Sequence, residues 1–381
     1  MDVLLVTPWP PTMSGVANYS MKLFMKLSKH IRITLYIVSP SKSFLKNIKK
    51  IMELLLISRK YRIVHLQLES TYPLTFLLLL PLMAKMLNVR KVLTMHSIPP
   101  LRIKYMDYAD NMTLAFFLRY YLSRLLAIKY LTCLSNSFDC IIVHSMLMKQ
   151  YLASCGVKEE KIIIIPHGTT KVKVENIVST DMLLNREKNK VIIIFLGFLR
   201  PSKGIKYLLE ALNLLEQDLK NRISVKIIGG YSIQSRRNYN SYLKDILRII
   251  KKDRLESIVE IINRYVPQDE LKRMISQADI IVLPYIDEFV EVSGIIHEVA
   301  DYQKPVIVTS IPKFISELTD GENCLMVRPK DPRELAKAME VLVKDSYLRK
   351  KLGENLKKLA KQTYWCIVSS KHLSVYKELL N

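Results

Sequence analysis

The stretch Val191-Ile-Ile-Ile-Phe-Leu-Gly197-Phe-Leu-Arg200-Pro-Ser-Lys203-Gly204-Ile-Lys-Tyr-Leu208-Leu209-Glu-Ala-Leu212 decides the fold. Its first six residues are apolar, mostly β-branched and closed by a glycine, which predicts a strand buried on both faces. After Gly204 the apolar positions become Leu208, Leu209, Leu212 and Leu215, the spacing that lines one side of a helix. Strand, short turn and helix in that order are the opening of a βαβ unit, the grammar of a parallel sheet covered by helices.

The same alternation runs along the chain. Apolar strand-like runs stand at 2–7, 33–38, 63–67, 91–96, 140–144 and 161–166, with helical stretches between them, such as 16–29, where Val16, Leu23, Phe24 and Leu27 share a face. A polar, weakly periodic stretch at 168–190 interrupts it. The alternation then restarts with runs at 191–196, 225–229, 259–262, 280–284, 305–309 and 324–327. This predicts two doubly wound α/β domains in tandem, with ligands taken at the carboxyl ends of their strands and a cleft where the two face each other. The expected bounds are 1–170 for the first domain, 171–189 for the linker, 190–361 for the second, and 362–381 for a last helix. A length of 381 residues agrees with two domains at about 100–200 residues each.

Five cysteines with no C-x-x-C pair argue against a disulfide framework or a structural zinc site and for idle thiols in a reducing cytoplasm. The first residues lack a basic leader and meet Pro8, Pro10 and Pro11, so they read as a strand rather than a signal peptide. The apolar run 75–84 is half of the ~20 residues a membrane span needs and reads as a core helix.

Each domain opens with a strand, a turn and a helix, but neither turn is G-x-G-x-x-G nor a Walker loop, which disfavours a nicotinamide dinucleotide. The second turn still suits an anion, because a helix start offers free N–H groups and Arg200 and Lys203 add two cations. Two readings stand for that pair: a pyrophosphate site, or solvated loop charges.

The quoted stretch resembles the donor-site segment of the retaining glycosyltransferases of family 4, and further stretches fit the same family in order: Val225-Lys-Ile-Ile-Gly-Gly230, Ala278-Asp-Ile-Ile-Val-Leu-Pro-Tyr285, Glu291-Val-Ser-Gly-Ile-Ile-His-Glu298, Lys304-Pro-Val-Ile307 and Asp320-Gly-Glu-Asn-Cys-Leu-Met-Val-Arg-Pro329. In the first half, Pro10-Pro-Thr-Met-Ser-Gly-Val16, Val64-His-Leu-Gln67, Thr94-Met-His96 and Ile163-Ile-Ile-Pro-His-Gly168 are similar to its landmarks. The resemblance implies the two-domain GT-B fold, a last helix crossing back to the first domain, closure on donor binding, and a nucleotide-diphosphate sugar as donor with no further cofactor. It implies a donor site at Gly15, Gly197, Arg200, Lys203, Gly204, Gly229, Ser293, Gly294 and Glu298, and catalytic positions at His96 and Glu291.

One departure concerns the acidic motif. The family separates two glutamates by seven residues, whereas Glu291 and Glu298 are separated by six and Val290 holds the expected place. Glu298 is implied as the ribose ligand and Glu291 as the sugar-side residue, with Asp287 and Glu288 as alternatives for the latter. Another departure places Phe198 where the family often has Arg. His167, His65, His144 and His297 read as structural or ambiguous.

No D-x-D triplet occurs, so a metal-bridged diphosphate is not expected. The formal charge of +23 calls for an anionic partner. Basic residues mixed with apolar and aromatic ones at 43–62 and 102–129 suit an anionic membrane surface, where a glycan or polyprenyl-linked acceptor would lie; solvated helix faces are the simpler reading. The expected setting is cytoplasmic, peripheral on the inner face of the membrane. A nucleotide-sugar epimerase of the same fold is the alternative, followed by a basic nucleic-acid-binding protein, for which no recognition motif is present.

Overall fold

The computed structural model describes residues 1–12, 14–38, 43–68, 72, 74–98, 126–172, 190–230 and 239–381. The expected linker therefore lies almost wholly outside the described residues, as does most of the basic stretch at 102–129.

The strands, in chain order, are β1 (Asp2–Thr7), β2 (Arg32–Ile37), β3 (Ile63–Leu68), β4 (Arg90–Met95), β5 (Ser97–Ile98), β6 (Cys140–Val143), β7 (Ile162–Ile164), β8 (Val191–Leu196), β9 (Ile223–Ile228), β10 (Val259–Ile262), β11 (Ile280–Leu283), β12 (Val290–Glu291), β13 (Val306–Thr309) and β14 (Leu325–Val327). Twelve of them build two six-stranded sheets, each parallel throughout. The chain divides into two compact units. The first is Met1–Gly168 with Glu288–Val292 and Trp365–Asn381; the second is Thr169–Asp287 with Ser293–Tyr364.

In the first unit the strand order is β2-β1-β3-β4-β6-β7. Val3, Leu4, Leu5 and Val6 of β1 are fully buried because helices cover both faces, whereas β2 at the edge alternates in exposure and begins with Arg32. A charged, half-wet edge strand protects the sheet against pairing with another chain. The helix Gly15–Leu27 starts at Ser14, whose hydroxyl accepts from the Ala17 N–H at 3.0 Å, and buries Val16, Tyr19, Leu23 and Leu27. The run 75–84 is not one core helix. It forms two short ones, Leu74–Leu77 and Leu80–Met86, with Leu78 and Leu82 exposed. Pro81 lacks an N–H, so it opens the second helix and cannot extend the first.

The helix Trp365–Glu378 belongs to the first unit and packs on the helix Gly15–Leu27. The ring of Trp365 lies against Gly168, where a Cβ would strike it. The buried Tyr376 hydroxyl meets His65 Nδ1 at 2.6 Å. The last segment of the chain is thus part of the first unit's core.

In the second unit the strand order is β10-β9-β8-β11-β13-β14. Strands added on one side of β8 give way to strands on the other side between β8 and β11, and the crevice beyond the carboxyl ends of those two strands is the topological switch point of the sheet. The turn after β8 carries Gly197, Arg200, Lys203 and Gly204; the turn after β11 carries Pro284, Tyr285 and Asp287.

All twelve strand-like runs of the sequence are strands. The two absent from the expectation are β5 and β12, which pair antiparallel with Val290 opposite Ile98 and Glu291 opposite Ser97. Two residues carry no periodicity. This pairing, contact with the helix Met146–Ser154 and burial of Val290 and Val292 in the core of the first unit accompany the grouping of Glu288–Val292 with that unit rather than with 190–361. Among the described residues, no helix is long and apolar enough to cross a membrane. All five cysteines are free thiols.

Tyr376→Phe is expected to lower stability by about 1–3 kcal/mol, because it leaves a buried His65 nitrogen without its hydroxyl partner. Tyr376→Ala is expected to cost about 3–5 kcal/mol through the added cavity. Urea unfolding of both variants measures the difference.

Candidate functional site

At the switch point of the second unit, three cations converge on one carboxylate. Asp287 Oδ2 lies 3.3 Å from Lys203 Nζ and 3.4 Å from Arg200 Nη2, and its Oδ1 lies 3.0 Å from Lys313 Nζ. The side chains of Asp287, Lys203 and Lys313 are 8%, 8% and 6% exposed, and Arg200 is 27% exposed. Burial alone would raise the Asp287 carboxyl, but Lys313, Lys203 and Arg200 outweigh it and hold the group down to about 2. Asp287 is therefore ionised throughout the physiological range.

Tyr285 forms the floor of this cluster. Lys203 Nζ sits 3.6 Å from its ring centroid, a cation–π contact in a desolvated setting. Its hydroxyl donates to the Leu196 carbonyl at 2.6 Å, tying the end of β11 to the end of β8. The Ile286 N–H donates to the Ser202 carbonyl at 2.9 Å and closes the same gap from the other side.

Gly204 ends a short 3-10 turn, Pro201–Lys203, with φ 68°, and starts the helix Ile205–Leu214. A Cβ there would fall on the Pro284 carbonyl, so only glycine permits this close approach of the two turns. Gly229, after β9, is likewise pressed against the Gly197 carbonyl. Gly197, Arg200, Lys203, Gly204 and Gly229 thus gather at one edge of one sheet.

The acidic motif is divided. Ser293 (buried), Gly294 and Glu298 lie in the second unit, on and before the helix Gly294–Val299, and Glu298 accepts a hydrogen bond from Gln268. Glu291 lies in the first unit, opposite Ser97 and so one residue along from His96. His297 is buried, with Nδ1 2.8 Å from Thr169 Oγ1 and Nε2 2.9 Å from Glu317 Oε1, which makes it part of the second unit's framework. Asp287, the alternative for the sugar-side role, is engaged at both oxygens by the cations. Glu288 falls in the first unit.

In the first unit, His96 follows β4 and stands at the centre of a polar network. Its Nε2 meets Gln67 Oε1 at 2.8 Å, and its Nδ1 meets His144 Nε2 at 3.1 Å. His144 Nδ1 lies 2.9 Å from the Ile165 carbonyl. Gln67 Nε2 is 3.0 Å from His65 Nε2, which also meets Thr94 Oγ1 at 2.7 Å. Tyr19 packs edge-on to His96, with ring centroids 4.7 Å apart, and also touches His144 and His167. Burial, reinforced by His144, His65 and His372, lowers His96 well below 6.5 and keeps it neutral at pH 7.

The hydrogens of this network follow from its ends. Ile165 can only accept, so His144 donates through Nδ1. If His144 is neutral, its Nε2 accepts from His96 Nδ1–H, leaving His96 Nε2 as an acceptor that requires the amide NH2 of Gln67. The amide orientation with Oε1 toward His96 instead matches a network carrying one extra proton. Both ring nitrogens of His96 are engaged within the protein in either case.

Gly15 opens the helix Gly15–Leu27, and a Cβ added to it would meet nothing within 4 Å. Packing therefore does not require glycine at this position.

Two family models match the chain: Glycosyltransferase Family 4 over residues 1–170, and Glycosyl transferases group 1 over residues 183–359. The chain belongs to the family 4, group 1 glycosyltransferases. Two uncharacterized glycosyltransferases of Methanocaldococcus jannaschii are 22% and 25% identical to this family 4 chain over 249 and 268 residues, 64% and 67% of it. Those matches span 59% and 70% of the two proteins' own lengths. A D-inositol 3-phosphate glycosyltransferase of Corynebacterium aurimucosum is 24% identical over 53% of this chain and 48% of its own.

Solved GT-B structures share the fold. Anabaena Alr3699/HepE in complex with UDP superposes with a TM-score of 0.74 at 14% identity, covering 99% of this chain and 100% of that one. The sucrose-phosphate synthase of Thermosynechococcus elongatus gives 0.74 at 17%, covering 100% and 99%.

Sequence reasoning missed Lys313 and Tyr285. Lys313 is one of 58 basic residues and lies more than a hundred positions beyond Lys203, so nothing in its local sequence marks it. Tyr285 carried a faint signal, standing directly after Pro284 at a strand end.

A carboxyl held below its unfolded value of 3.8 stabilises the fold above about pH 4 and loses that contribution as pH falls toward 2. The shift corresponds to roughly 2 kcal/mol. Asp287→Asn is expected to flatten this part of the acid-unfolding curve and to cost about 3–5 kcal/mol at pH 7, because buried cations lose their partner. Chemical denaturation at stepped pH measures both.

Proposed function

We propose that the protein is a retaining glycosyltransferase that moves a sugar from a nucleotide-diphosphate sugar to a hydroxyl of a glycan or lipid-linked acceptor. The observation that carries this is the cluster of Arg200, Lys203 and Lys313 at the switch point of the second sheet, where a doubly wound fold takes its ligand. A diphosphate is the natural anion to join three cations gathered at that edge. Family membership and the UDP bound to a protein of the same fold support the same reading.

Under this reading Arg200 and Lys203 hold the diphosphate, with Gly197, Gly204 and Gly229 letting backbone come close. Glu298 holds the ribose, Ser293 and Gly294 border the donor, and Gly15 leaves room for it. Glu291 and His96, adjacent in the first unit, face the sugar. With both nitrogens committed to Gln67 and His144, His96 orients rather than shuttles a proton. In a front-face displacement, the bond from the anomeric carbon to the phosphate oxygen breaks as a bond from the acceptor oxygen forms on the same face. The acceptor's proton passes to the departing phosphate. The cations strengthen their hold as charge builds on that phosphate, which lowers the barrier.

The acceptor is read as lying at the cytoplasmic face of an anionic membrane. The helix Phe44–Ser58 buries Asn47, Ile51, Leu54 and Ser58 and exposes Leu45, Met52 and Leu56 beside Lys46 and Lys49. An exposed stripe that is both apolar and basic suits an anionic interface.

Thermal-shift measurements with UDP, GDP and their hexose derivatives are expected to show stabilisation by at least one diphosphate, weakened in Lys203→Ala; no stabilisation by any would sink the donor assignment. In flotation assays the protein is expected to bind phosphatidylglycerol vesicles over phosphatidylcholine vesicles, and Leu45→Ser with Leu56→Ser to reduce that binding several-fold. Equal binding to both lipids would argue against the membrane reading.

A further inference from the structure

We infer that Lys313 is a third cation of the diphosphate site, and that Asp287 is the positioning residue that sets all three cations around it; this rests on reading the second unit as the donor half. Lys313 sits on the short helix Pro312–Ile315, in the turn after β13, at the same carboxyl edge of the sheet as Arg200 and Lys203. Its ammonium is 3.0 Å from Asp287 Oδ1, while the other two cations share Oδ2. It also lies 5.5 Å from the centroid of the Tyr285 ring that carries Lys203.

Placement makes the case. An ammonium with only 6% of its side chain exposed is held in one position rather than sweeping through solvent. The turns after β8 and β13 bring it, with Lys203 and Arg200, to the edge where a doubly wound sheet takes its ligand, and three positive charges gathered there attract an anion more strongly than two. Lysine suits this role as a compact charge with three rotatable donors, so that one N–H stays on Asp287 while another turns to a phosphate oxygen. Asp287, ionised and fixed at the end of β11, holds the three cations in the arrangement that the anion meets. Without it their mutual repulsion would spread them.

The test is binding of UDP and of uridine to wild type, Lys313→Met, Lys313→Arg and Lys203→Ala by titration calorimetry, with GDP and ADP alongside to establish which base is accepted. Loss of one charge-assisted hydrogen bond is expected to weaken UDP by about ten- to a hundredfold in Lys313→Met. Uridine, which has no phosphate, should bind as it does to wild type, and Lys313→Arg should keep UDP affinity within about threefold, the smaller change expected when charge is retained. If Lys313→Met fails to fold, Lys313→Gln, which keeps a hydrogen bond to Asp287 without the charge, carries the same expectation. Wild-type UDP affinity in either neutral variant overturns the assignment, as does an equal loss for UDP and uridine. If Lys203→Ala weakens UDP while Lys313→Met does not, only the role of Lys313 falls. If wild type binds none of the three diphosphates, the donor reading falls with it.

Discussion

A parallel sheet buries both of its faces, and this constraint organises everything else in the molecule. With helices covering the two sides, strands such as β1 and β8 have no solvent-facing surface on which to place chemistry. What remains open is the row of turns at the strand ends. In the second unit the order β10-β9-β8-β11-β13-β14 sets the turns after β8 and β11 side by side at the switch point, and the charged residues collect there. The apolar sheet supplies rigidity, and the turns supply function.

The cluster at that edge is held from several directions. Tyr285 ties β11 to the last carbonyl of β8, the Ile286 N–H binds the Ser202 carbonyl, and Gly204 allows the turns to touch. Each contact lies between backbone segments distant in sequence, so the position of Lys203 is set by the sheet rather than by a flexible loop. Such preorganisation lets a charge act on a ligand without reorganising first.

The first unit solves a different problem. Its edge holds a chain of mutually bonded polar groups running from Tyr376 through His65, Gln67, His96 and His144 to the Ile165 carbonyl. Buried polar groups of this kind are tolerated only when nearly all are satisfied. The requirement reaches the last helix of the chain, because Tyr376 supplies one end of the network. His96 is consequently fixed in orientation by residues from three strands' ends and a C-terminal helix.

The sequence by itself determined the two doubly wound sheets, their twelve strands and the glycine-bearing turn with Arg200 and Lys203. Strand periodicity, helix periodicity and turn chemistry are local, and a few neighbouring residues suffice to express them. It did not reveal β5 and β12, since two-residue strands carry no period, nor the grouping of Glu291 with the first unit that accompanies their pairing. It offered Asp287 only as an alternative to Glu291 for the sugar side, and gave no sign that the fold sets that carboxylate among three cations. Lys313 is indistinguishable from the other basic residues along the chain. Only the tertiary structure brings it to Asp287, because strand order in a sheet is decided by packing between distant segments and is written at no single position.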